Sequence, residues 1–147
     1  VLFKSTSLAA QWASIHPEVR VALGELDDQL DAWGLPTLTV TDAIRTKAQQ
    51  EDLYWRMYLG SGVLEVAARE KARRKFSWHL TACAVDFRGS KPWEAPDERR
   101  IRSWLRKRCP TPQWECLLHD AGTGVHFHVA HKDFGWRRKW EHPEGRV

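Results

Sequence analysis

The chain has 147 residues, a mass of 17.1 kDa, 42% hydrophobic and 29% charged residues, and a formal net charge of +4. That is the size of one domain with a core of its own, and nine Trp with five Phe exclude an intrinsically disordered chain. No apolar run approaches the roughly 18 residues of a membrane span, and the basic balance predicts attraction to something anionic: nucleic acid, acidic lipid or bacterial cell wall.

Residues 17–33 predict a helix. Pro17 suits its first turn, Val19, Leu23, Leu26, Leu30 and Trp33 form one apolar stripe, and Gly34 with Pro36 stops it. Leu38-Thr-Val-Thr is a β-branched strand. Residues 46–59 predict a second helix with Leu53, Tyr54, Met57 and Tyr58 near one face, ended by Gly60-Ser-Gly62. Residues 63–75 fit a basic helix or a loop, and Thr81–Phe87 reads as β. Residues 97–108 form an amphipathic helix with Ile101, Trp104 and Leu105 inward, broken by Pro110-Thr-Pro112. Two apolar runs, 113–119 and 124–130, surround Ala121-Gly-Thr-Gly124 as a hairpin. The tail 132–147 is polar and Trp-rich. No repeat or linker divides the chain, so a single α+β domain over 1–147 is expected, with its core at about 17–131. Val1-Leu-Phe-Lys carries no initiator Met and no signal-peptide pattern. Three Cys (Cys83, Cys109, Cys116) without CxxC spacing make neither a disulfide framework nor a Cys-type zinc site.

The chemistry concentrates in two segments. In His126-Phe-His128 the two imidazoles are two apart on a strand and share a face, backed by apolar Val125, Phe127 and Val129. In Ser77-Trp-His79, followed by Leu-Thr-Ala-Cys-Ala-Val-Asp86, the carboxylate sits with Ala82 and Ala84 on the small-residue side of a strand, while Cys83 reads as a small buried hydrophobe. His79, Asp86 and one His of the pair would supply N, O and N ligands. Zinc accepts such a set and keeps a fourth position for water. His131 falls on the opposite strand face from His128, and His16 and His142 read as incidental.

Ser77-x-His79-x6-Asp86 followed by His126-x-His128 resembles the zinc D-alanyl-D-alanine carboxypeptidases and L-alanyl-D-glutamate endopeptidases, which act on bacterial cell walls, include many phage endolysins and share the hedgehog fold. Arg45-Thr-Lys-Ala-Gln-Gln50-x3-Tyr54 is similar to the segment that precedes their metal motif. The resemblance implies a small antiparallel sheet carrying one zinc ion, flanked by helices. It implies ligands His79, Asp86 and His128, with His126 orienting water or stabilising an oxyanion. It also implies that Arg45 and Gln50 hold a carboxylate or carbonyl of the peptide stem, with Ser77 supporting the site by hydrogen bonding. Two departures stand out. Ala82 stands where the family usually has Gly, and Val125 stands where many members carry an acidic base three residues before the last ligand. Asp120 is then the second choice after His126 for proton transfer, with Glu115 and His119 also near.

The expectation is a monomeric zinc peptidase that cleaves peptidoglycan stems, more as an endolysin-type endopeptidase than as a carboxypeptidase. It would act on the cell wall after release from a host cytoplasm or secretion. The alternatives are a D-Ala-D-Ala carboxypeptidase and a noncatalytic zinc-containing binding module. A nucleic-acid binder using helix 97–108 would leave the His/Asp pattern without purpose.

Overall fold

In the computed structural model, residues 1–120 and 125–142 are described, Asp120 by its backbone alone. The strands are β1 (Leu2–Phe3), β2 (Leu38–Asp42), β3 (Ala84–Gly89), β4 (Trp114–Asp120) and β5 (Val125–His131). They form one sheet in the order β1-β2-β3-β5-β4. The helices are α1 (Thr6–Gln11), α2 (Pro17–Ala32), α3 (Lys47–Tyr58), α4 (Glu65–Arg74), α5 (Ala95–Arg108) and α6 (Phe134–Glu141). The architecture is α+β, as expected. The sheet is mixed rather than purely antiparallel, because β1 pairs with β2 in parallel.

Period-two alternation divides the sheet into two chemically different faces. Leu38, Val40, Val85, Phe87, Phe127 and Val129 point to the core, where Phe87 stacks on Phe127 and Trp93 closes edge-on over both. Against them lies the buried stripe of α2, Val19, Ala22, Leu23, Leu26 and Leu30, and from α5 come Ile101 and Leu105. Trp104 packs at the edge of this core half-buried. The opposite face carries Asp42, Asp86, His128 and Leu117 in one row. The cross-strand pairs Asp42–Asp86, Asp86–His128 and Leu117–His128 set that alignment.

Several local expectations change. Thr81–Phe87 is not continuous strand: Trp78–Thr81 is a short 3-10 helix, and β3 starts at Ala84. Residues 63–75 resolve into a helix, α4. The apolar face assigned to 46–59 does not enter the core, since Leu53 and Met57 are 59% and 61% exposed. α3 and α4 pack on one another as a hairpin, and among the described residues nothing covers Leu53 and Met57 on its outer side. Basic side chains instead cover its aromatic rings: Arg69 over Trp55, Lys71 over Tyr58 and Lys75 over Tyr54. The tail is partly α6, which folds back: Trp136 donates from Nε1 to the Thr81 carbonyl, and Trp140 packs on the main core. Among the described residues no helix is long and apolar enough to cross a membrane.

Candidate metal centre

Three elements bring His79, Asp86 and His128 together. His79 lies on the 3-10 helix, whose N-cap is Ser77: the Ser77 hydroxyl accepts from the His79 N–H at 3.3 Å. The helix ends on Ala82 in the left-handed region, at φ 58°. A residue with a Cβ is strained there, which explains why glycine suits this position. Ala84 and Ala130 face each other across β3 and β5. Being small, they let Trp78 and Cys83 pack on the sheet in a satellite core. That packing lowers the 3-10 helix onto the face that carries Asp86. Cys83 is fully buried there, and burial first of all pushes its thiol up to about 12, so it remains an inert SH group.

Both imidazoles converge on one oxygen. Asp86 Oδ1 lies 3.1 Å from His79 Nε2 and 2.8 Å from His128 Nδ1. The opposite nitrogens are both tied to acceptors: His79 Nδ1 is 2.6 Å from the Ala43 carbonyl, and His128 Nε2 is 2.8 Å from Glu115 Oε1. A carbonyl only accepts, so Nδ1 of His79 carries the proton, and in neutral His79 the lone pair of Nε2 faces the carboxylate. Two lone pairs at hydrogen-bond distance require a cation between them. Without a metal, protons fill that role. Burial pulls the Asp86 carboxyl up, but hydrogen bonds and positive charge from His128 and His79 outweigh it and hold it well below the usual carboxylate range. Burial likewise opposes charge on His128, yet Asp86 and Glu115 raise it to about 9. The hydrogen bond from His128 in turn lowers the Glu115 carboxyl.

The donor set fits a metal ion. The three ligand atoms lie within 4.8 Å of one another in a largely buried group. Each imidazole has its remote N–H anchored on an oxygen, the arrangement that holds metal-binding histidines in the correct tautomer. The Glu115 carboxylate, one of the acids near enough in sequence for proton transfer, is bound to His128 Nε2.

Arg45 is 7% exposed and stands where the chain leaves β2 for α3, with its backbone N–H bound to the His79 carbonyl. Nη2 donates to Asp42 Oδ2 and Nη1 to Gln50 Oε1, each at 2.8 Å, while Nε is buried with no partner among the described residues. Gln50 corrects an expectation. It is fully buried, its oxygen takes Arg45 and its nitrogen donates to the Lys75 carbonyl. It therefore positions Arg45 and ties α3 to the end of α4, and its full burial keeps it from meeting a substrate directly.

His126 shares the ligand-bearing face and pairs across the hairpin with His119. The His119 ring lies 5.9 Å from that of His128. The side chain of Asp120 lies outside the described residues, as does the turn 121–124. Trp78 and Trp93 are buried packing residues.

A second group, His16, His131 and Asp133, also gathers possible ligand atoms. Its hydrogen bonds speak against a metal. His16 Nδ1 accepts from the Glu18 N–H, so Nε2 carries the proton and donates to Asp133 at 2.8 Å. His16 is thereby the N-cap of α2, and Asp133 in turn caps α6 through Trp136 N–H. The group is a structural clasp.

No protein-family model, curated protein or solved structure matches this chain.

Proposed function

We propose that this chain is a zinc peptidase of the hedgehog/DD-peptidase kind, hydrolysing amide bonds in the peptide stems of bacterial peptidoglycan. The observation that carries the reading is the convergence of His79 and His128 on Asp86 Oδ1, each with its remote nitrogen anchored. The order Arg45, Ser77-x-His79-x6-Asp86, His126-x-His128 supports the same reading.

A zinc ion held by His79, Asp86 and His128 would supply Lewis acidity and make a water molecule acidic near neutral pH. The chain's own residues do the rest. Glu115 and the Ala43 carbonyl keep the two imidazoles in register. Arg45, held between Asp42 and Gln50, offers Nε–H and its remaining Nη–H groups to a carboxylate of the stem, a planar fork suited to both oxygens. His126, beside the ligand row, takes or gives the proton at the scissile amide. The endopeptidase form is preferred to the carboxypeptidase, and the basic charge concentrates the protein on an acidic wall.

Mass spectrometry of fragments released from purified peptidoglycan, with and without a zinc chelator, tests this. Chelator-sensitive release of stem fragments is expected, and their masses name the bond. No release by zinc-containing protein would refute the peptidase and favour the binding module, which Val125 at the usual base position makes the second reading.

A further inference from the structure

The basic balance of the sequence finds a place on the α3–α4 hairpin. Of the ten large apolar side chains exposed among the described residues, six lie in residues 53–66. Residues 59–67 are exposed without interruption and hold Leu59, Val63, Leu64 and Val66 against one charge, Glu65. An apolar run of that kind on a helix–helix turn marks a surface that meets something. The turn is well formed: Val63 N–H donates to the Gly60 carbonyl and Ala68 N–H to that of Leu64, each at 3.0 Å. Leu64 is also the N-cap of α4 and supplies no capping oxygen, so the helix itself gains nothing from it. Leu64 is 77% exposed and Val66 79%.

A collar of aromatic rings and cations lies just behind this tip. Lys71 Nζ sits 4.7 Å from the ring centroid of Tyr58, the last residue of α3. The guanidinium groups of Arg69 and Arg56 lie 4.0 and 5.2 Å from the Trp55 ring. At about 1.5 Å per residue, Trp55 stands roughly 6 Å before Leu59 along α3. An amphipathic element resting on a bilayer buries its apolar part by about 5–10 Å, which brings Trp, Tyr and cationic side chains to headgroup level. Residues 56–74 carry five cations and two carboxylates. Glu65 pairs with Arg69 at 2.9 Å, and Glu70 with Arg73 and Arg74, so among the described residues Arg56 and Lys71 have no carboxylate partner. A second copy docking tip to tip would set these cations against their own kind, whereas lipid phosphates complement them.

We propose that the tip of the α3–α4 hairpin docks on an anionic phospholipid surface, with Leu59, Val63, Leu64 and Val66 entering the acyl boundary and Arg56 and Lys71 binding lipid phosphates. This goes beyond the peptidase reading and does not depend on it.

The test is co-sedimentation of the full chain with phosphatidylcholine vesicles, with and without about 30% phosphatidylglycerol, at about 0.1 M salt. Binding to the anionic vesicles should exceed that to the neutral ones at least ~10-fold and weaken as salt is raised. The double variant Leu64→Ser, Val66→Ser should bind the anionic vesicles ~10-fold or more weakly. It should fold as before, since both side chains are exposed and a serine at position 64 provides the missing cap. Arg56→Gln and Lys71→Gln should each weaken binding about 5-fold. Absence of binding, equal binding to both vesicles, or unchanged binding in the serine variant would overturn the docking surface. So would a lipid-free dimer in light scattering that the serine variant converts to monomer, since the tip would then belong to a second copy.

Discussion

Glu115 offers the sharpest test of the metal centre, because its two possible roles predict opposite behaviour. Its Oε1 lies 2.8 Å from His128 Nε2, on the far side of the ring from Asp86. Glu115→Ala removes the acceptor that holds His128 in the ligating tautomer, and the loss of such a partner lowers metal affinity by about 10–100-fold, or roughly 1.4–2.8 kcal/mol. Glu115→Gln keeps an oxygen at the same reach and removes only the charge. Its loss should lie at the lower end, about 10-fold, since Glu115 is half-buried and partly screened. Competition for zinc against a chromophoric chelator at pH 7.5 measures both. Hydrolysis of wall fragments at saturating zinc should then recover to near the unsubstituted rate in Glu115→Gln. Unchanged zinc affinity in Glu115→Ala would refute the outer-partner role, and lost turnover in fully zinc-loaded Glu115→Gln would make Glu115 the proton-transfer group.

Replacing His79, Asp86 or His128 by Ala should remove bound zinc and hydrolysis together, and stoichiometric zinc by elemental analysis in all three variants would overturn the ligand set. Arg45→Ala should lower turnover with zinc retained, because its link to the His79 loop is through the backbone N–H; an empty metal site in that variant would make Arg45 structural. For the metal-free chain, His128 is raised to about 9, so its contribution is complete below the unfolded value near 6.5 and disappears between there and pH 9. Asp86 is lowered, so its contribution is present above about pH 4 and is lost as the solution becomes more acidic. Urea denaturation in chelator should therefore give greatest stability at about pH 4–6.5, falling by roughly 2–3 kcal/mol toward pH 9; a flat profile would contradict the coupling of His128 to its carboxylates. Ala82→Gly should stabilise the chain by about 0.5–1 kcal/mol, read as a raised Tm, by relieving the left-handed φ of 58°.

Local patterning is strong enough to reveal most of the elements from the sequence alone. The stripe from Val19 to Leu30, the breakers Gly34 and Pro36, and the hairpin runs around 121–124 depend on neighbours a few residues apart, so α2, β2, α5 and the β4–β5 pair were legible. Parity along one strand likewise put His126 and His128 on one face. The α3 face misled because periodicity marks an apolar side without saying whether anything covers it; Leu53 and Met57 are exposed among the described residues. The 3-10 helix at Trp78–Thr81 was hidden for a related reason. Only its last residue, β-branched Thr81, falls in the run that reads as β, and the turn is held by Trp78 packing on Ala84 and Ala130, residues that are small because something must rest on them.

The site divides the same way. Residue type and spacing picked out His79, Asp86 and one histidine of the His126/His128 pair, since only a few side chains can ligate a metal; the family resemblance chose His128. Their convergence on one oxygen of Asp86 depends on the β3–β5 register, which pairs Asp86 with His128, and on where the 3-10 helix lands. Glu115, the Ala43 carbonyl and the burial of Gln50 are distant in sequence from the groups they serve. Hydrogen bonds across separations of 13 and 36 residues leave no periodic trace in the chain. Residue chemistry determined which groups can act, and tertiary packing decided which nitrogen faces Asp86, which carboxylate anchors His128 and which side chains are left free for a ligand.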